Sequence, residues 1–386
     1  MHTEIGFTVG SFEIKQTIHH WVNHGLMSFF FFVIGLEVKR EVLAGELSNL
    51  KASILPISAA IGGMVFPAII YVIYNSGAET ISGWGVPMAT DLAFAISILI
   101  LLKNRISPTL ITFLVAFAIV DDIGSVMVIA AFYTDTINFV ALSYAGVAFA
   151  AMMLLNRFGI HYTLLYFIPG LLMWFFVLES GVHATVAGLL AALTIPIKPK
   201  LKPESFAPDA DILLTEYKTH PIGADHLLDQ GHQAVLTNLK CRIESIESPV
   251  QRLERSMHLP VGLLVIPIFA LTNAAITIDL ETLRDIIMSP VSMGIMFGLI
   301  MGKIIGIFGV SYIMVKSKLA NLPKGVTMSQ VFGVSLLGGI GFTMSIFIAE
   351  LGLAGIPGAL EQAKMGILFA SFIAGLAGYL WLRFTR

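Results

Sequence analysis

The 386 residues are 56% hydrophobic and only 12% charged, with a formal net charge of −2, whereas soluble chains carry about 45–50% apolar and about 25% charged residues. That composition excludes an ordinary soluble domain, and the lack of a basic block gives no reason to expect a nucleic-acid partner. Cys241 is the one cysteine, so neither an internal disulfide nor a cysteine-ligated metal is available.

In chain order, residues 1–23 form an external segment in which Phe7, Val9, Phe12 and Ile14 flank Gly10-Ser11, a turn pair suited to a β-hairpin. An isolated hairpin is marginal in water, which suggests pairing with a second copy as a homodimer, with a disordered or loosely packed tail as the alternative. Apolar runs near 24–43, 52–75, 87–102, 108–133, 138–155, 163–178 and 181–197 approach the roughly 17–25 residues of a membrane-crossing helix and make a first membrane region, 24–197. The segment 198–258, punctuated by Pro199, Pro203, Pro208 and Pro221, reads as a long cytoplasmic loop with helical patterning only from about Ala224 to Glu247. Its His220, His226 and His232 lack the spacing of a compact zinc site and read as solvated. Runs near 259–277, 290–315, 327–350 and 363–383 complete a second region, 259–386, with four spans. In lipid each segment must satisfy its own backbone, and the alternation of barrel strands is absent, so the fold class is all-α: a polytopic membrane helix bundle.

Basic residues set the orientation. Lys39, Arg40, Lys51, Lys103, Arg105, Arg157, Lys316, Lys318, Lys324, Arg383 and Arg386 fall on one side, against Lys15, Arg284 and Lys364 on the other. The positive side is cytoplasmic, which places the C-terminus inside and the N-terminus outside. Lipid is the surrounding partner.

The charges inside the spans carry the chemistry. Asp121 and Asp122 stand near the middle of 108–133, where a carboxylate costs roughly 2.5–3.5 kcal/mol. Helical neighbours point about 100° apart, so both can border one cavity, and their protons leave as a coupled pair. An arriving cation relieves their repulsion. Asp91 follows Thr90 in a short span containing Pro87; proline there breaks or starts a helix, leaving Thr90 and freed carbonyls to face a cavity. Na⁺ and Li⁺ favour such oxygen ligands, although capping the next helix explains the same two residues. Lys303 sits midway along 290–315, where an aspartate from 108–133 would satisfy it; a purely structural ion pair is the alternative. Gly338, Gly339 and Gly341 interrupt 327–350, each weakening a helix by about 1 kcal/mol, with close helix packing as the plainer reading. These interrupted spans are central in two trios, 52–133 and 290–383, that start on opposite sides. Inverted three-helix repeats with two broken, crossing helices point to the midplane ion site of a secondary transporter.

At this point the sequence resembles the NhaA family of bacterial sodium/proton antiporters over nearly its whole length. The resemblance rests on Gly35-Leu36-Glu37-Val38-Lys39-Arg40-Glu41, Ala89-Thr90-Asp91-Leu92-Ala93-Phe94-Ala95, Ala118-Ile119-Val120-Asp121-Asp122-Ile123-Gly124, Ser180-Gly181-Val182-His183-Ala184-Thr185 and Gly339-Ile340-Gly341-Phe342-Thr343-Met344-Ser345. It implies a bacterial inner-membrane protein and electrogenic exchange of cytoplasmic Na⁺ or Li⁺ for external H⁺, with these ions as cargo and no resident cofactor. It further implies a principal cation and proton ligand in Asp122, with Asp121 exchanging between Lys303 and the cation. Thr90 and Asp91 would belong to the crossed broken helices, and Glu37, Arg40, Glu41, Glu254 and His258 to pH sensing. A positive-inside anchor with interhelix salt bridges explains the Glu37–Glu41 stretch equally. His183 could titrate near neutral pH or be a hydrogen-bonded packing residue.

Three departures stand out. The family carries a further helix ahead of the hairpin, Ile304 stands after Lys303 where proline is expected, and the 198–258 loop is longer, with Arg255 where a histidine is expected. Two other functions compete: a passive cation channel, and an intramembrane aspartyl protease using Asp91 with Asp121 or Asp122. The protease motif Gly-x-Gly-Asp is missing, and no enzymatic activity is expected.

Overall fold

The computed structural model describes residues 4–385 except 10, 11, 104, 135, 220–227 and 275–282. Strands β1 (Glu4–Val9) and β2 (Phe12–Thr17) pair antiparallel, Glu4 opposite Thr17 and Val9 opposite Phe12; the expected Gly10-Ser11 turn lies outside the described residues. β2 runs straight into α1 (Ile18–Ala44), whose start is capped by Thr17 accepting from the His20 N–H at 3.2 Å. The first span therefore begins six residues before the expected 24. α2 (Leu50–Asn75) follows, capped by Asn49.

The next span is the first broken one. A 3₁₀ segment, Glu79–Met88, and α3 (Leu92–Leu101) are separated by extended backbone at 89–91. The break thus falls after Pro87, not at it, and the span reaches back to Glu79. α4 (Pro108–Phe132) opens on Ser107 with proline in its first turn. α5 (Phe139–Arg157), α6 (Leu164–Glu179) and α7 (Thr185–Thr194) complete the first region. α7 is shorter than the expected 181–197: residues before it form a turn with Gly181 at φ +83°, and Ile195 after it is extended.

The 198–258 segment holds two helices, α8 (Phe206–Thr219) and α9 (Gln230–Ile246), where helix was expected only in the second half. Pro208 lies in the first turn of α8, where a missing N–H costs nothing, so it does not break the helix. His232 is not solvated: it is 1% exposed, bonds Asp229 at 2.6 Å and packs on the Tyr217 ring, joining α9 to α8. His220 and His226 lie outside the described residues. Among the described residues no three metal-binding side chains converge.

α10 (Pro249–Asn273) begins ten residues before the expected 259, on a Ser248/Gln251 capping box. Glu254 and His258 are therefore on a span's helix and not in a loop. After α11 (Leu283–Ile287) comes α12 (Pro290–Lys316), which opens into π-helical turns at Gly298–Gly302 and Ile304–Gly309, on both sides of Lys303. α13 (Met328–Leu337) and α14 (Phe342–Leu353) are the second broken span, bent by 47°, and α15 (Ala359–Phe384) ends the bundle.

Among the described residues, eight helices are long and apolar enough to cross a membrane and the bent pair makes a ninth; α6 and α7 are shorter apolar helices. Together they occupy the eleven expected positions. Large apolar side chains such as Leu101, Phe139, Leu164 and Phe384 stand exposed on the outer surface, as lipid contact requires. The protein is an all-α membrane bundle.

Candidate ion-binding site

The two interruptions meet. The Asp91 N–H donates to the Ile340 carbonyl at 2.6 Å, and the Thr90 hydroxyl donates to the Gly338 carbonyl at 3.0 Å. In return, the Thr343 N–H and hydroxyl both donate to Asp91 Oδ2, at 3.0 and 2.5 Å. Asp91 Oδ1 accepts the Phe94 N–H at 3.3 Å. One carboxylate thus serves the N-terminal turns of both α3 and α14, where unpaired N–H groups and the positive dipole end favour an anion. The capping alternative for Asp91 holds, and it operates at a helix break.

The glycines act through space and not through unusual backbone. Gly338 and Gly341 have φ of −59° and −95°, open to any residue. A Cβ at Gly339 would collide with the Leu299 carbonyl, and one at Gly341 with the Ser345 hydroxyl. Their absence of side chains lets α12 and α14 approach the crossing.

Lys303 is fully buried and completes this assembly. Its ammonium donates to the Met88 carbonyl at the end of the 3₁₀ segment, to the Thr90 hydroxyl at 2.9 Å and to Asp121 Oδ2 at 3.2 Å. A cation therefore sits where a helix ends in free carbonyls, and anions sit where helices begin. Asp121 is 0% exposed, and its Oδ1 has no hydrogen-bond partner among the described residues. Asp122, 3% exposed, accepts no hydrogen bond and forms no ion pair among the described residues. Lys303 is thereby paired directly with one of the two adjacent carboxylates, that of Asp121.

The model of the Na⁺/H⁺ antiporter 1 family matches residues 1–382. The chain belongs to that family. The Na⁺/H⁺ antiporter NhaA of Sulfurimonas denitrificans is 54% identical over 99% of this chain and 86% of its own length. That of Dichelobacter nodosus is 48% identical over 97% and 81%, and NhaA 1 of Saccharophagus degradans 45% identical over 99% and 82%. The protein is accordingly a sodium/proton antiporter of the inner membrane, a transporter and not an enzyme.

The remaining titratable candidates of the antiporter divide between its two ends. At one end Arg40 pairs with Glu41 at 3.1 Å and with Glu254 at 3.0 Å, joining α1 to α10. Glu37 lies within electrostatic reach of both Glu254 and Asp122, and exposed His258 within reach of Glu254. Lys39 donates to the Leu193 and Ile195 carbonyls, capping α7. His183 is not part of this group. It bonds Thr185 at 2.8 Å, stacks on His24 with 4.8 Å between ring centroids, and lies edge-on to Phe347. His24 in turn contacts His20 at 4.2 Å.

Several polar residues escaped the sequence reading. Thr343 bonds Asp91, and its motif was visible although its partner was not. Glu350 pairs with Lys364 at 2.7 Å and with His19 at 3.5 Å when that histidine is protonated, tying α1, α14 and α15 together. The signal was available as an acid and a base just inside two spans. Gly298, Gly302 and Gly306 place one face of α12 directly on Pro87, Pro67 and Gly62, a small-residue stripe at four-residue spacing.

Proposed function

We propose that this antiporter exchanges cytoplasmic Na⁺ or Li⁺ for external H⁺ by alternating access around Asp121 and Asp122, electrogenically and under pH control. The observation that carries the reading is the pair of buried, adjacent carboxylates with a single ammonium between them and the crossing. When no cation is bound, Lys303 neutralises Asp121 and a proton neutralises Asp122. An entering Na⁺ takes oxygens from both carboxylates, displacing the ammonium from Asp121 and the proton from Asp122. The displaced Lys303 ammonium, left buried without its carboxylate, gives up a second proton, so two protons exchange for one monovalent cation and a turnover moves net charge. Because proton and cation compete for the same oxygens, the carrier crosses with one or the other.

Thr90 and Asp91 hold the crossing of the two broken spans, and the inverted relation of the trios supplies the two faces between which it alternates. Glu37, Arg40, Glu41, Glu254 and His258 form the cytoplasmic pH-responsive group, with the C-terminus on the same side and the N-terminus outside. Two copies pair through the β1–β2 hairpin, whose backbone edges can extend a ladder. Everted vesicles test the function: with a preformed ΔpH, added Na⁺ or Li⁺ should dissipate it. Na⁺ flux that proceeds without moving protons would instead indicate a channel and overturn the reading.

A further inference from the structure

Hydroxyls within helices commonly donate to the carbonyl one turn back, as Ser28 does to His24, Ser97 to Ala93 and Thr272 to Ile268. Ser125 on α4 does not. It is 1% exposed, and its Oγ has no hydrogen-bond partner among the described residues. A buried polar atom left in this way needs a physical reason.

Its position on the helix supplies one. With Asp121 taken as zero and about 100° per residue, Asp122 lies at about 100° and Ser125 at about 40°, between the two carboxylates in projection. Ser125 is about 4.5–6 Å further along the axis, and Cα–Cβ bonds lean toward the helix N-terminus, back toward the aspartates. Asp121 Oδ1, on the same face, is likewise unpartnered.

The other unpartnered seryl hydroxyls are placed differently. Ser292 and Ser311 are eight or more residues from Lys303 along α12, at least about 12 Å away. Ser345 is two residues past Thr343, about 200° round α14 from the side chain that bonds Asp91.

We propose that Ser125 Oγ is a ligand of the transported alkali cation, completing with Asp121 and Asp122 a set of hard oxygen donors on one face of α4. This rests on the reading of those aspartates as the ion site. A hydroxyl adds a donor without adding charge, so it matters most to the ion that needs more oxygens. Na⁺ is larger than Li⁺ and gathers more ligands, so Ser125 biases the site toward Na⁺.

The test compares half-saturating Na⁺ and Li⁺ concentrations in proteoliposomes at one pH for wild type, Ser125→Ala, Ser125→Thr and Ser345→Ala, with the Na⁺-induced rise in melting temperature as a readout independent of transport. Ser125→Ala should raise half-saturating Na⁺ by about tenfold, the equivalent of one ligand's share of affinity, raise that for Li⁺ less, and shrink the Na⁺-induced stabilisation. Ser125→Thr, which keeps the oxygen, should restore Na⁺ affinity, and Ser345→Ala should match wild type. An unchanged Na⁺ value for Ser125→Ala, equal rises for both ions, or the same change in Ser345→Ala would overturn the proposal while leaving wild-type antiport intact. A wild type that exchanges neither ion for protons would instead overturn the antiport reading itself.

Discussion

Removing the Lys303 ammonium probes the arrangement most directly. The side chain is 0% exposed and reaches Met88, Thr90 and Asp121, so Lys303→Ala strands an acidic group in the interior. Breaking one side of a buried pair costs about 3–5 kcal/mol. A change of 1 kcal/mol moves the melting temperature by about 2–4 °C in chains of 150–250 residues, and by less in a larger one, so a fall of roughly 5–10 °C is expected in detergent. The pH dependence has a defined sign. The cost arises only while Asp121 is ionised, so the deficit relative to wild type should be largest at alkaline pH and should shrink as acid protonates the carboxyl. Adding Asp121→Asn removes the stranded charge, and the double variant should recover most of the loss, because replacing both members of a buried pair is often close to neutral. Thermal unfolding of the four proteins across pH provides the cycle. Additive losses, or a deficit that does not change with pH, would refute the idea that Lys303 compensates Asp121.

The other expectations concern transport and the opposite end of the bundle. Asp122→Asn should abolish Na⁺-dependent proton movement while folded protein remains in the membrane; a folded variant with normal exchange removes Asp122 from the site. In proteoliposomes, lowering pH should weaken apparent Na⁺ affinity, approaching tenfold per pH unit for each displaced proton, and saturating Na⁺ should restore the rate unless the cytoplasmic group closes first. An affinity that stays flat with pH would rule out competition for shared carboxylates. Glu350→Gln leaves Lys364 with a weakened partner and should lower the melting temperature, less so in a Glu350→Gln/Lys364→Met protein.

Much of the bundle was legible because lipid imposes a length requirement that polar residues interrupt visibly. The midplane position of Asp121 and Asp122 and the lone base in 290–315 could be read without any partner. What could not be read was pairing across sequence: nothing local says that Asp91 accepts from Thr343, or that His183 stacks on His24. Pro208 was misjudged because proline signals a disturbance only where an N–H is needed, and it lies in the first turn of α8, where the donor is spare. The early start of α10 was hidden because its first ten residues are polar; the helix there is fixed by its cap and not by apolar run length. The π-helical turns around Lys303 have no sequence signature beyond glycine content.

The stripe formed by Gly298, Gly302 and Gly306 faces Pro87, Pro67 and Gly62 and lies alongside the residue whose charge matters most. Lys303 stands between Gly302 and Gly306, and its reach to Asp121 is dimensioned by how closely α12 lies against α2. A methyl group at Gly306 would improve helix propensity yet meet the Gly62 backbone. It would lift the lysine helix off its support. Tolerance to substitution is therefore inverted here: the mildest change, one methyl group on the face packed against Pro87, Pro67 and Gly62, misplaces the charge of Lys303.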